Sequence, residues 1–435
     1  MRQVIFGHAS GNLPGTGFNP INFVDQSSSF DAAKWKLIAA GTFRNLRIRL
    51  NAAPGAGTSW TCTLYKNGVA TSLSVVISDS DTEGSDETNS VAVVEGDTVA
   101  FQWLRTGAAT LTLASTSVQF DSTTTGEVIA SNKPGRTDTT ARFNSVFNGI
   151  GSWQTFFQFV RNIIPQAMTL TRLDVELTVA GAPGTPAPPG IGDHKIYAIY
   201  KNGVRQDGTG GTVDTVVDIT GDVDSTGTKS FSLPLVRGDY IYIEVTLSGT
   251  PTSSDAKYST KVICDSNKKF PINAVYDNQG SAVNYFTPSA TFIDDEDATE
   301  ANIVTVGTTK NLRVGDAICV MEAPGAGDTR TFDVRVNSAS PAGTPTLTLS
   351  DAETTDEDNV NTALIGKTDV WNWRTSFTGT PASANPSVAL TGEVLGGGKG
   401  ASNKGRHGGG VSVVGQGGAN LLSVGNPGLN TEVLT

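Results

Sequence analysis

The chain is poor in the residues that build most catalytic and covalent frameworks. Its 435 residues include three cysteines, three histidines and three methionines. Cys62, Cys264 and Cys319 are odd in number, far apart and form no CxxC pair. That argues against a disulfide framework and a zinc site, and they are expected as free thiols in or near β cores. His8, His194 and His407 fall in three different regions, so no Ser-His-Asp triad or histidine metal centre is expected. GxSxG, Walker and HExxH signatures are missing. Charged residues are only 17% and the net charge is −11. Without clustered Lys and Arg to neutralise phosphates, the chain is not expected to bind DNA or RNA. No apolar run approaches the ~20 residues of a membrane helix. The opening MRQVIFGHASGN lacks a basic segment followed by an apolar core, so no ordinary secretion signal is expected, and folding is expected in the cytoplasm.

What is present is glycine, at 49 residues, with many threonines, serines and valines. β-branched runs broken by Gly, Pro, Asn and Asp predict many short strands joined by turns. In LRIRLN, Leu46, Ile48 and Leu50 alternate with Arg47, Arg49 and Asn51. In YIYIEV, Ile241, Ile243 and Val245 alternate with Tyr240, Tyr242 and Glu244. A period of two with one apolar face marks a half-buried antiparallel strand. The apolar stretch from Phe147 to Met168 is read as strands rather than a helix, because it aligns with AKWKLIAAGTF and NIVTVGTTK.

The same unit recurs three times. A strand, an Ala-Pro-Gly turn and a strand ending at Asn or Asn-Gly occur at Thr42 to Gly68, at Thr171 to Gly203 with a Pro/Gly insert, and at Thr309 to Asn337. The turn prolines are taken as Pro54, Pro183 and Pro324. A second anchor follows at Glu95-Gly96-Asp97, Arg237-Gly238-Asp239 and Ile365-Gly366-Lys367. The expected organisation is all-β: three tandem antiparallel β-sandwich domains of jelly-roll type, at 1–126, 127–266 and 267–395. A Gly-rich flexible tail with a C-terminal anchoring segment follows at 396–435.

Several residues could carry chemistry. Arg237-Gly238-Asp239 matches an adhesion tripeptide, but the first copy has Glu-Gly-Asp there, so a turn before a strand is the expectation. Asp79, Asp81 and Glu83 resemble the start of a calcium loop, but Ser90 occupies the position of the closing glutamate. Acidic loops recur at Asp218, Asp222 and Asp224, and at Asp351, Glu353, Asp356, Glu357 and Asp358. Calcium is therefore a weak candidate, and no other cofactor is expected. Asp294 to Asp297 is read as a charged loop. Trp60, Trp103, Trp153, Trp371 and Trp373 could stack on sugars if exposed, although core packing is the default for tryptophans in alternating strands. Paired carboxylates could build a glycosidase without any motif.

Tandem sandwich units, PGxG turns and the KNGV strings at Lys66–Val69 and Lys201–Val204 resemble the virion structural proteins of tailed bacteriophages, such as decoration proteins, head fibres and tail appendages. The resemblance spans residues 40–390, and the third copy departs from it, with Arg335-Val336-Asn337-Ser338 in place of Lys-Asn-Gly. It implies a non-enzymatic component of a virion, made in the host cytoplasm. It further implies assembly with other virion proteins and a homo-oligomer, often a trimer. The competing expectation is a carbohydrate-binding or adhesive protein contacting host surface glycan.

Overall fold

A computed structural model describes the chain to residue 395, apart from residues 9–12, 14, 22–26, 111, 133–135, 138–141, 148–152, 180–181, 276–282, 287–295, 299, 301–304, 308–309 and 382–383. Met1–Leu395 forms one compact unit. The Gly-rich tail expected at 396–435 lies outside the described residues.

The first third contributes β1 (Arg2–His8), β2 (Gly17–Asn19), β3 (Trp35–Lys36), β4 (Gly41–Leu50), β5 (Gly55–Lys66), β6 (Val69–Asp79), β7 (Glu83–Val93), β8 (Thr98–Thr106) and β9 (Ala114–Ser122), with one helical turn, α1, at Phe30–Ala33. Two antiparallel sheets result, ordered β1-β9-β4-β7 and β2-β8-β5-β6, with β3 added to β8. The middle third contributes β10 (Glu127–Asn132), β11 (Arg136–Thr137), β12 (Arg142–Asn144), β13 (Asn162–Ile163), β14 (Met168–Val179), β15 (Ala182–Pro186), β16 (Gly190–Lys201), β17 (Val204–Arg205), β18 (Val217–Gly221), β19 (Thr226–Leu235), β20 (Tyr240–Ser248) and β21 (Ser254–Cys264). Its sheets run β10-β21-β14-β19 and β12-β20-β16-β18, the shorter strands attaching at their margins. The last third contributes β22 (Lys269–Val275), β23 (Asn284–Phe286), β24 (Glu296–Asp297), β25 (Thr305–Val306), β26 (Leu312–Val320), β27 (Gly325–Val336), β28 (Thr346–Asp351), β29 (Thr355–Ile365), β30 (Val370–Thr378) and β31 (Ser387–Val394). Its sheets run β22-β31-β26-β29 and β23-β30-β27-β28.

The chain is thus all-β, and each third has the same connectivity. Counting the principal strands of a third in chain order, one sheet takes the first, eighth, third and sixth. The other takes the second, seventh, fourth and fifth. This double crossing is the jelly-roll arrangement of eight strands. The alternation read in LRIRLN places Leu46, Ile48 and Leu50 in the sandwich interior at 1% exposure or less. Arg47 on the other face is nonetheless only 4% exposed, because another repeat covers it.

The equivalent strands β5, β16 and β27 correct one anchor. Each is preceded by proline and opens Gly-x-Gly, so the matching prolines are Pro54, Pro189 and Pro324, two steps of 135 residues. Both glycines of each pair have positive φ, from 70° at Gly57 to 120° at Gly190, a conformation that bars most side chains. Pro183 instead lies in β15, a strand with no counterpart among the described residues of the other two repeats. The second anchor also shifts: the residue equivalent to Asp97 and Asp239 is Asp369, so Gly366 matches Val94 and Val236.

The stretch from Phe147 to Met168 departs from the expected strands. Its described residues include a 3-10 turn at Phe157–Phe159 and only the two-residue β13 before β14 begins at Met168. The cause is packing outside the sandwich. Phe157 stacks on Tyr242 at 4.9 Å between centroids, on the outward face of the sheet, rather than entering a ladder.

The cores are not confined to single repeats. The middle and last repeats share one continuous apolar cluster, which also takes in Val4 and Phe6 of β1. The first repeat has its own cluster, joined by Ile129 of β10.

Candidate assembly seams between the repeats

Between its second and third principal strands, each repeat carries a short strand that rests on the start of the seventh. Lys36 of β3 pairs with Thr98, Ile163 of β13 with Tyr240, and Val306 of β25 with Val370. The following amide donates to the carbonyl of an aspartate: Leu37 to Asp97 at 2.8 Å, Ile164 to Asp239 at 2.8 Å and Gly307 to Asp369 at 2.9 Å.

Those aspartates organise the region. The carboxylate of each accepts from an asparagine side chain at 2.7 Å: Asn67 to Asp97, Asn202 to Asp239 and Asn337 to Asp369. Each also accepts from a backbone N–H three residues upstream, at Val94, Val236 or Gly366. The three asparagines, again 135 residues apart, all sit at φ 51° in the left-handed region. Lys66 and Lys201 add ion pairs to Asp97 and Asp239 at 2.8 and 2.9 Å. Burial alone would raise the carboxyl pKa of Asp97 and Asp239. The hydrogen bonds and the lysine outweigh it and hold both below the usual range.

So braced, the segment packs on the next repeat. The Ser259 hydroxyl of the middle repeat donates to Lys36 O at 3.0 Å, Ser387 of the last repeat to Arg161 O at 2.7 Å, and Ser117 of the first repeat to Gly307 O at 2.8 Å. An arginine reinforces each seam. Arg172 spans from Asp174 to Glu95 of the first repeat, at 2.6 and 2.5 Å. Arg237 pairs with Glu357 at 2.7 Å and donates to the carbonyls of Asp316 and Ala317 in the last repeat, at 3.0 and 2.8 Å. Arg47 donates to the carbonyls of Lys367, Thr368 and Asp369 and pairs with Glu83 at 2.6 Å. Lys367 meets Glu87 at 2.6 Å in the same seam. Between the middle and last repeats the seam is also apolar, with Ile163 against Ile318 and Ala389.

The first repeat rests on the second, the second on the third and the third on the first. Head-to-tail contacts of one kind close into a ring of three. The first strands also meet: the Gln3 side chain exchanges two hydrogen bonds with the backbone of Ile129, at 2.9 and 3.1 Å.

The residues singled out in the sequence are mostly occupied. In Arg237-Gly238-Asp239 the aspartate is 7% exposed and clamped as above, and the arginine is bound into a seam. Asp79 has φ 56° and accepts from Gly57 N–H at 2.7 Å, as Asp351 does from Gly327. Glu83 is committed to Arg47, while Asp81 is exposed. Asp218 meets His194 at 3.2 Å, Glu353 accepts from Ser350 N–H, Asp356 from Thr348 N–H, and Asp358 from Thr346 N–H. Asp222 and Asp224 are exposed. Among the described residues, no group of three His, Cys, Asp or Glu is placed to hold a metal ion. Asp294 and Asp295 lie outside the described residues, and Glu296–Asp297 forms β24. His8 ends β1, and His407 lies outside the described residues.

Trp60, Trp103, Trp153, Trp371 and Trp373 are at most 7% exposed, and Trp371 and Trp373 share the inward face because they are two residues apart. Outward aromatics of the middle repeat include Tyr200, Tyr240 and Tyr242 with Phe157 and Phe143. Tyr242 is sandwiched between Tyr200 and Phe157, at 4.9 Å on each side. The faces of Tyr242 are thus covered, while Phe156, next to Phe157 in the chain, is 58% exposed. Lys195 and Ser254 form a pairing with a nucleophile's chemistry that sequence reading missed. Nζ and Oγ are 2.6 Å apart, but both residues are fully buried in the sandwich. Cys62, Cys264 and Cys319 are buried free thiols whose pKa burial pushes up, to about 12 for Cys264. No helix among the described residues is long and apolar enough to cross a membrane.

No family model and no curated protein matches the chain. Among solved structures, a chain from the structure of infectious bursal disease virus, Gx strain, is 8% identical over 91% of this chain and 80% of that chain, with a TM-score of 0.19. At that score the likeness carries no argument about fold or role.

Proposed function

We propose that this chain is a non-enzymatic structural component of a tailed-bacteriophage virion, decorating or projecting from the particle surface. One observation carries the reading: three jelly rolls are locked by their own polar side chains into a closed ring within one chain. Arg47, Arg172 and Arg237, the clamped aspartates and the seam serines are used as braces. A fold alone does not assign a role, although jelly rolls recur in capsid and lectin domains. The carbohydrate-binding alternative gains nothing from the tryptophans, which are buried, or from Tyr242, which is stacked on both sides. The test is protein mass spectrometry of gradient-purified particles from the infected host. The chain should co-sediment in fixed ratio to the shell protein. Recovery only in the soluble fraction, away from particles, would sink the reading.

A further inference from the structure

The ring is complete without a second copy of the chain, and it repeats one exposed feature three times. The turns at 67–69, 202–204 and 337–339 recur at 135-residue steps. Each opens on an asparagine at φ 51°. All nine residues are exposed, with Val69 at 68% and Val204 at 53%. Each tip is held rigidly from behind by its Asn–Asp hydrogen bond at 2.7 Å. A rigid tip loses little conformational freedom when it is contacted.

We infer that the chain acts as a single-copy ring, and that these three turns are equivalent contact points for a protein assembly with a threefold axis. The inference rests on the virion reading for its partner, but not for its ring. Head-to-tail contacts that close after three steps satisfy every seam internally, so none is left to recruit another copy. Three tips engaging three equivalent sites multiply weak contacts into firm attachment, because the second and third contacts are intramolecular. The third tip carries Ser338 and Ala339 in place of Gly and Val, so the shared chemistry is a small, uncharged turn.

Two measurements test this. Light scattering or native mass spectrometry of the full chain should give the mass of one chain, 45.3 kDa. A mass of three chains would overturn the single-copy ring. Quantitative mass spectrometry of particles should give one chain per three copies of its partner, and equal copy numbers would overturn the threefold docking. The double variant Val69→Asp, Val204→Asp should melt like the unaltered protein and bind particles at least about tenfold more weakly. Unchanged binding by a folded variant overturns the turns as contact points. A monomeric chain that never associates with particles overturns the virion reading and its partner, yet leaves the single-copy ring standing.

Discussion

Ser338 occupies the second position of a left-handed turn, at φ 61°, where the other repeats place Gly68 and Gly203 at φ 79° and 80°. A side chain in that conformation costs roughly 1 kcal/mol. Ser338→Gly should therefore raise the unfolding free energy by about 1 kcal/mol, and Gly203→Ser should lower it by a similar amount, both read from denaturant melts. The aspartates behind these turns make a second prediction. Asp97 and Asp239 have carboxyl pKa values below the unfolded range. Their contribution is therefore present above the unfolded pKa, near 3.9, and is lost as pH falls through the lower folded value. Asp239→Asn should cost stability at pH 7 and flatten the loss of stability on acidification below about pH 4. An acid limb as steep as in the unaltered protein would show that another carboxylate governs it. The Asn-Gly turns were legible as sequence, because few residues tolerate positive φ. The clamp behind them was not, since an aspartate before a strand reads equally well as an ordinary turn residue.

Among the elements, the segment before each third principal strand matters most, and the three repeats fix it by different chemistry. In the first repeat Tyr65 packs edge-on against Phe18 at 5.2 Å, with Phe30 of α1 beside them. In the middle repeat the segment hangs on Phe157 and Tyr242. In the last, Glu300 pairs with Arg335 at 2.7 Å, and that guanidinium lies 5.6 Å from the Tyr285 ring. Tyr242→Ala should destabilise the protein by about 3 kcal/mol through lost stacking and a cavity. Hydrogen exchange should rise first at 153–164 and in the seam that this segment makes with Ile318. Uniform acceleration across the chain would argue against a local hinge on Tyr242. Period-two alternation made the long strands legible. The alignment with AKWKLIAAGTF and NIVTVGTTK that read 147–168 as strands yields only β13 before Met168, because an apolar residue packed outside a sheet gives the same composition as one packed inside. The seams were illegible for the converse reason: Ser117, Ser259 and Arg47 sit at outward positions where polar residues normally face water.

For the whole molecule, the distribution of apolar contact sets cooperativity. One continuous cluster spans the middle and last repeats, while the first repeat keeps its own. Scanning calorimetry should show fewer than three transitions, with the middle and last repeats melting together. Three well-separated peaks would mean that the shared cluster is energetically idle. The three thiols report on the same unit. With all three buried and raised in pKa, alkylation by a maleimide at neutral pH should be slow until the fold is opened by denaturant.

The placement of Val4 and Phe6 has a consequence for the order of synthesis. These two side chains belong to β1, which leaves the ribosome before the later repeats, yet they are buried in a cluster made by residues of those repeats. Phe6 lies 5.6 Å from Trp371, more than three hundred residues downstream. This strand therefore waits, with two apolar groups uncovered, until the last repeat has emerged. Domains usually finish in the order in which they are made. Here β1 is sealed only when the last repeat is in place.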